Sequence, residues 1–421
     1  MLSRFRKLNA ALVYYVLTGG ITLAQGLMFT ILAIYYVNEV GMNPLQLVLV
    51  GTMVEGTILL FEVPTGAVAD TYSRRLSVII GMFILGAAWL VQGSFALFGM
   101  VLLSEFIRGV GETFLSGALD AWLAGEVGEE NIGKIYVRSG QINRIIGILG
   151  ILGAVGVASL QLNWAILGGG ALFLLLGLFL VLFMPENGFE PAPQDERNSL
   201  GTVGQTLRSG ARAIRGSRLL LLLLLVSAVG GAASEGFDRL WEVHLIRNFT
   251  FPAIDGFTVV VWFGAIKIAM SLAGLLVTES LRARLERATR SPAVTARILL
   301  VLNTLSMGAI FAFALAGNFP AAFVFVLIKS VLSGLFEPLY YTWLVQSTEP
   351  KVRATMLSMI NQSNALGQVA LGPAVGAVGT FVSIRAALVA ASVLLAPITA
   401  LFAGASKSQP EPEREAVAPE G

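Results

Sequence analysis

Twelve long apolar runs leave this chain few folds to choose from. A membrane-spanning helix needs about 20 mostly apolar residues, because the hydrocarbon core is about 30 Å thick and a helix rises about 1.5 Å per residue. Runs of that kind fall at about 10–37, 45–69, 76–95, 98–124, 139–161, 164–184, 219–247, 256–279, 295–316, 320–346, 355–380 and 383–404. Turn-forming residues separate several of them, among them Gly41 with Asn43 and Pro44, Gln161 with Asn163, and Gly317 with Asn318 and Pro320. Composition agrees. The chain is 56% hydrophobic and 13% charged, whereas a soluble domain is about 45–50% apolar and about 25% charged. No polar stretch is long enough to form a soluble domain, which argues against a soluble enzyme, a nucleic-acid binder or a disordered protein. With no cysteine, there is no disulfide framework and no cysteine metal site. The fold class expected is an all-α integral membrane protein with twelve transmembrane helices.

The charges supply an orientation. With the N-terminus inside, the inner segments carry 21 of the 28 basic residues, in seven clusters from Arg4, Arg6 and Lys7 to Lys407 and Arg414. The outer segments carry Arg247 and Arg385 alone, and the other five lie within helices. Such a split satisfies the positive-inside rule, and a lost or extra helix would scramble it. Both termini are therefore expected in the cytoplasm, with the protein in the inner or plasma membrane. The basic start resembles that of a signal peptide, but the apolar run behind it is longer than a signal's and no cleavage site follows, so the first helix is read as retained.

The helices divide into a bundle over 1–184 and a bundle over 219–404. The linker at 185–218 holds Pro185, Pro191 and Pro193, then Arg208, Arg212, Arg215 and Arg218. It suits either an amphipathic helix on the inner leaflet or a solvated linker. The tail at 405–421 is expected to be disordered.

After the second run the sequence reads Gly66-Ala-Val-Ala-Asp70-Thr-Tyr-Ser-Arg74-Arg75. In position and spacing this resembles the loop signature of the major facilitator superfamily, Gly-x-x-x-Asp-(Arg/Lys)-x-Gly-Arg-(Arg/Lys). Thr71 and Ser73 depart from it. The resemblance implies two six-helix repeats rocking about a central site, a small-molecule substrate, no cofactor and a working monomer. It also implies gating roles. Gly66 would admit a neighbouring helix. Asp70 would meet the N-terminal end of the eleventh helix when the cytoplasmic side closes. Arg74 and Arg75 would anchor the loop. A degenerate echo follows the eighth run, Gly274 through Glu279 to Arg282 and Arg284. Arg108-Gly-Val-Gly111 is similar to the family's fourth-helix pattern, and a Gly-Pro pair, Gly372-Pro373, falls in the eleventh helix where drug antiporters carry one in the fifth. Tight helix packing is the alternative reading of each of these glycines.

Ionisable groups inside a bilayer are costly and face a cavity or a partner. Nine acids and five bases lie in the runs, a net −4 if all ionise, so some carboxylates are expected to exchange protons. Glu55, Glu112 and Glu235 are the first candidates for coupling, with Arg108, Asp238 and Arg239 beside them. Arg108 is spaced to pair with Glu105 or Glu112. Glu62, Asp120 and Glu337 lie nearer the cytoplasm and are expected to pair with Arg144 or the loop arginines. Lys267 and Lys329 complete the set. At each acid a structural salt bridge is the competing reading. Trp122, Trp164 and Trp241 fall near helix ends as interface anchors, and His244 is a possible but minor relay. No phosphate-binding loop and no metal-ligand spacing appears.

The acidic interior and the resemblance to drug/proton antiporters lead to proton-coupled export of lipophilic cationic or zwitterionic compounds. Proton symport or uniport for uptake, and lipid flipping on the same fold, remain open at this stage.

Overall fold

Asparagine and proline set where several helices begin. Asn43 accepts from the Gln46 amide while the Gln46 side chain accepts from the Asn43 amide, with Pro44 as the first helical residue. This reciprocal cap satisfies two donors that a helix start otherwise leaves unpaired. Asn318 caps the helix that contains Pro320 by accepting from the Ala321 amide, without the return bond. The computed structural model describes residues 7–189, 191, 218–289, 291–348 and 353–407. The linker expectation at 192–217 and the tail expectation at 408–421 lie outside the described residues.

Among the described residues twelve helices follow one another. They are α1 (Ala10–Phe29, continued by Leu32–Asn38), α2 (Pro44–Thr71), α3 (Arg74–Ser94), α4 (Phe98–Leu115, continued by Ala118–Val127), α5 (Glu129–Ala158) and α6 (Leu162–Phe183). The second set is α7 (Arg218–Asn248), α8 (Val259–Ala288), α9 (Pro292–Leu315), α10 (Phe319–Gln346), α11 (Arg353–Phe381) and α12 (Ile384–Leu394, continued by Ala396–Ala405). Among the described residues, ten helices are long and apolar enough to cross a membrane. The two that are not carry polar side chains along their length. α4 carries Glu105, Arg108 and Glu112, and α11 carries Asn361, Gln362, Asn364 and Gln368.

Several boundaries differ from the hydropathy reading: α8 runs to Ala288, nine residues past the expected end at 279, and α1 and α12 break near Thr30 and Leu395. α4 breaks at Gly117, whose φ of 70° suits glycine and interrupts the expected run. α5 starts ten residues earlier than expected, because Gly128 (φ 78°) ends α4 and Glu129 and Glu130 open the next helix. Acids in a first turn favour a helix start, although they lower hydropathy.

The packing repeats with an offset of six. α1 packs on α5 and α6 as α7 packs on α11 and α12, and α3 packs on α4 and α6 as α9 packs on α10 and α12. α2 lies on α4 as α8 lies on α10. Glycine allows close contacts among these: a β-carbon on Gly150 of α5 would lie 2.9 Å from the Gly26 Cα of α1. The halves meet through α2 against α11 and α7, and through α5 against α8.

These contacts concentrate at the end opposite Arg74 and Arg75. There Arg247 donates to the Met42 carbonyl at 2.7 Å and the Leu45 amide donates to Thr380 Oγ1 at 2.8 Å. A β-carbon on Gly376 would stand 3.1 Å from the Leu45 Cα. Toward the basic face, no atom of the described residues lies within 4 Å of a β-carbon built on Gly66, and Asp70 is exposed. The halves are parted on that side.

Candidate functional site

A cavity of about 610 Å³ lies within the second half, with α2 at its edge. α7, α9, α10, α11 and α12 supply its wall, and Glu55 of α2 is the one lining residue from the first half. Three carboxylates border it: Glu55, Asp238 and Glu337. Among the described residues none of the three makes a hydrogen bond or ion pair. Lys329 faces them from α10. Its ammonium group donates to Ser333 Oγ and lies 5.0 Å from the centre of the Phe237 ring. Phe336 and Tyr340 stack with their rings 5.8 Å apart, and the α11 amides add a polar strip. Tyr341 donates to Asn361 at 3.3 Å, and Gln368 donates to Asn364 at 2.9 Å. A site of this kind offers an aromatic surface, amide hydrogen bonds and a surplus of negative charge.

Behind the cavity each half holds an ion cluster. In the first, Arg108 bonds Glu105 at 2.5 Å and approaches Glu112 at 3.8 Å. Glu105 is 1% exposed, so it needs that partner. It also accepts from the Tyr36 hydroxyl at 3.3 Å. Gln92 donates to the same hydroxyl at 2.9 Å and accepts from Ser104 at 3.0 Å. The spacing of Arg108 to its two acids was legible in the sequence. Tyr36 and Gln92 were not, since a neutral side chain in an apolar run gives no signal of the partner it meets.

The α7 stripe is split rather than shared. Asp238 alone lines the cavity. Glu235 and Arg239 pair with each other at 2.8 Å and turn onto Gly51 of α2. Glu242 turns the other way and bonds Lys267 of α8 at 2.5 Å. Lys267 also donates to the Phe29 carbonyl at 2.8 Å, where the break in α1 ends its first segment.

The expected partners of Arg144 are corrected. Arg144 reaches Glu279 of α8 at 3.4 Å, across the halves, and not Glu62, Asp120 or Glu337. Arg144 lies on the side of α5 that adjoins α8, whereas Asp120 accepts from Tyr136 at 2.7 Å and Glu337 faces the cavity. Glu279 is the acid of the second-half echo. Glu62, two turns beyond Glu55, makes no ion pair among the described residues.

The loop that carries Arg74 and Arg75 is anchored within its own half. Arg74 donates to the Ala121 carbonyl at 3.0 Å and Arg75 to the Val181 carbonyl at 2.7 Å. Ser73, which departs from the family glycine, caps α3 through the Leu76 amide and donates to Glu186 at 2.8 Å. Asp70 has no partner among the described residues, as the parted basic face requires.

The aromatic and histidine readings also divide. Trp164 is half exposed. Trp122 is buried and donates to the Pro185 carbonyl at 2.8 Å, so packing rather than the interface holds it. Trp241 is buried too, 5.7 Å from the Lys267 ammonium. His244 is fully buried between Phe249 and Phe313, away from the cavity.

Comparison with known proteins places this geometry. The chain is 21% identical over 397 residues to the uncharacterized MFS-type transporter YxaM of Bacillus subtilis (strain 168), covering 92% of this chain and 94% of that one. The crystal structure of the nucleoside transporter NupG superposes with a TM-score of 0.71 at 17% identity, over 96% of this chain and all of that one. A POT family transporter in complex with 5-aminolevulinic acid gives 0.72 at 14% identity, over 94% and 96%. At these identities the structures share the fold alone. The sequence profile described as Major Facilitator Superfamily matches residues 14–302, and with the repeated six-helix packing this makes the chain a multi-pass membrane transporter of the major facilitator superfamily, not an enzyme.

Proposed function

We propose that the protein is a proton-coupled secondary transporter that exports lipophilic cationic or zwitterionic small molecules by alternating access. One observation carries this reading: Glu55 reaches the cavity from α2 without a partner, opposite Asp238 and beside an aromatic wall. An unpaired carboxylate in such a site binds either a proton or a cationic group, and competition between the two is what exchange transport needs. In this reading the basic loops and both termini face the cytoplasm, the structure is open to that side, and Arg108 with Glu105 and Glu112 forms the relay behind Glu55. The gate residues Gly66, Asp70, Arg74 and Arg75 act when the cytoplasmic side closes.

Lys329 favours a second reading. A cation beside Asp238 and Glu337 suits a zwitterionic metabolite, and the same cavity then serves proton-linked uptake. The POT family transporter solved with 5-aminolevulinic acid, a zwitterion, holds such a solute on this fold.

Proteoliposomes loaded with a pH-sensitive dye test both. A panel of lipophilic cations, zwitterions and neutral metabolites is added, and proton movement is recorded in both gradient directions. Proton release from the lumen opposite to cation movement supports export by exchange. Co-directional movement with a zwitterion supports uptake. Flux of fluorescent lipid, with no proton movement for any solute, overturns both in favour of a flippase.

A further inference from the structure

α5 presents two unlike sides. One packs on α1: Gly150 meets Gly26, and Ser139 Oγ lies 2.9 Å from Thr18 Oγ1. On the other side Lys134, Arg138, Gln141, Ile145, Leu149 and Leu152 follow one another at spacings of three and four, and so share one face. Ile145, Leu149 and Leu152 are 66%, 54% and 52% exposed. Three large aliphatic side chains left open in a row on a membrane helix meet acyl chains and not a neighbouring helix.

At the basic end this face opens on a depression of about 430 Å³ bordered by Gly133, Lys134, Val137, Arg138 and Gln141. Neither Lys134 nor Arg138 makes a hydrogen bond or ion pair among the described residues. At the same end Arg74, Arg75 and Arg287 each donate to a backbone carbonyl, whereas Arg284 is as free as these two among the described residues but does not border this depression.

Length fits as well. α5 has 30 residues, about 45 Å at 1.5 Å per residue, against a hydrocarbon core of about 30 Å. Its first turns therefore stand at the level of the lipid headgroups. From Arg138 to Leu152 the helix runs about 21 Å, more than the roughly 15 Å of hydrocarbon in one leaflet.

We propose that this face binds an anionic phospholipid, with its phosphate between Lys134 and Arg138 and one acyl chain along Ile145, Leu149 and Leu152. Cations at headgroup level favour anionic over zwitterionic lipid. The aliphatic stripe then holds a chain that a soluble phosphate lacks. The site lies outside the central cavity and does not rest on the transport reading.

Native mass spectrometry of the purified full chain tests it, with equal amounts of dioleoyl phosphatidylglycerol and dioleoyl phosphatidylcholine. The wild type is expected to retain the anionic lipid over the zwitterionic one by about tenfold. Lys134→Gln with Arg138→Gln should bring that ratio close to unity, and each single change should give an intermediate value. Arg284→Gln with Arg287→Gln, on another basic segment, should leave it unchanged. Glycerol phosphate at the same concentration should not displace the lipid. Equal retention of both lipids by the wild type overturns the proposal, as does a preserved preference in the α5 variants. An equal loss in the control variant would reduce the effect to general surface charge. Displacement by glycerol phosphate would make this a soluble-anion site.

Discussion

The carboxylate of Glu235 on α7 rests against the backbone of Gly51 on α2, and no β-carbon fits between them. Arg239 Nε lies only 2.7 Å from where that carbon would stand. The contact crosses from one half of the protein to the other, on the side where the halves are joined. Gly51 is therefore a seat for the α7 ion pair, and the closed arrangement of that end depends on it.

Gly51→Ala should hold the halves apart at this end. The chain has no cysteine, so single cysteines at Val48 or Thr380 report accessibility without background. Their labelling rates should rise several-fold in the Gly51→Ala protein. Adding Glu235→Ala together with Arg239→Ala removes both groups that the methyl would meet and should restore the wild-type rate. Unchanged labelling in the single variant would mean that α7 shifts to accommodate the methyl group and that Gly51 seats nothing.

Glu55→Gln should separate binding from driving force. The side chain has no partner to lose, so stability should stay within about 0.5 kcal/mol of wild type in thermal unfolding. Substrate flux driven by a proton gradient should fall by at least about tenfold, equivalent to about 1.4 kcal/mol, and its pH dependence should flatten. A variant with normal pH dependence would move the coupling site away from the cavity wall.

Arg108→Ala strands the buried carboxylate of Glu105. Removing one member of such a pair costs about 3–5 kcal/mol, which should appear as a large drop in the melting temperature. Glu105→Gln combined with Arg108→Gln removes both charges and should recover part of it. Glu112→Gln should be much milder, because that acid stands 3.8 Å from the guanidinium and not 2.5 Å. A similar loss for Glu105→Gln and Glu112→Gln would show that the two acids share Arg108 evenly.

Asp70→Asn should leave the melting temperature unchanged, since Asp70 is exposed and unpartnered in this arrangement. Its effect belongs to the opposite tilt of the halves, so turnover should fall while folding does not. Full turnover in this variant would remove the gating role.

The twelve helices were legible because bilayer thickness imposes a length and a hydropathy that a sequence displays directly. Break residues such as Asn43, Pro44 and Asn318 were legible for a similar reason: capping is local. The start of α5 was not, since Glu129 and Glu130 open a helix while looking like loop. Partner identity was harder still. Glu105 could be paired with Arg108 from spacing on one helix, but Glu279 with Arg144, Lys267 with Glu242, and Tyr36 with Glu105 depend on how helices far apart in sequence are brought together. Hydropathy also ranked every intramembrane acid alike, although Glu235 is locked in a pair and Asp238, three residues on, lines open space.

The cavity wall belongs almost wholly to one half. A ligand held there keeps most of its contacts whichever way the halves tilt, and travels with the second half as cargo. A ligand biases two arrangements only through the difference in its affinity for them. In the transport reading proposed above, that difference enters where the first half borders the cavity, which is α2 at Glu55. The wall can thus be remodelled to accept other cargo while the lever that senses it stays the same.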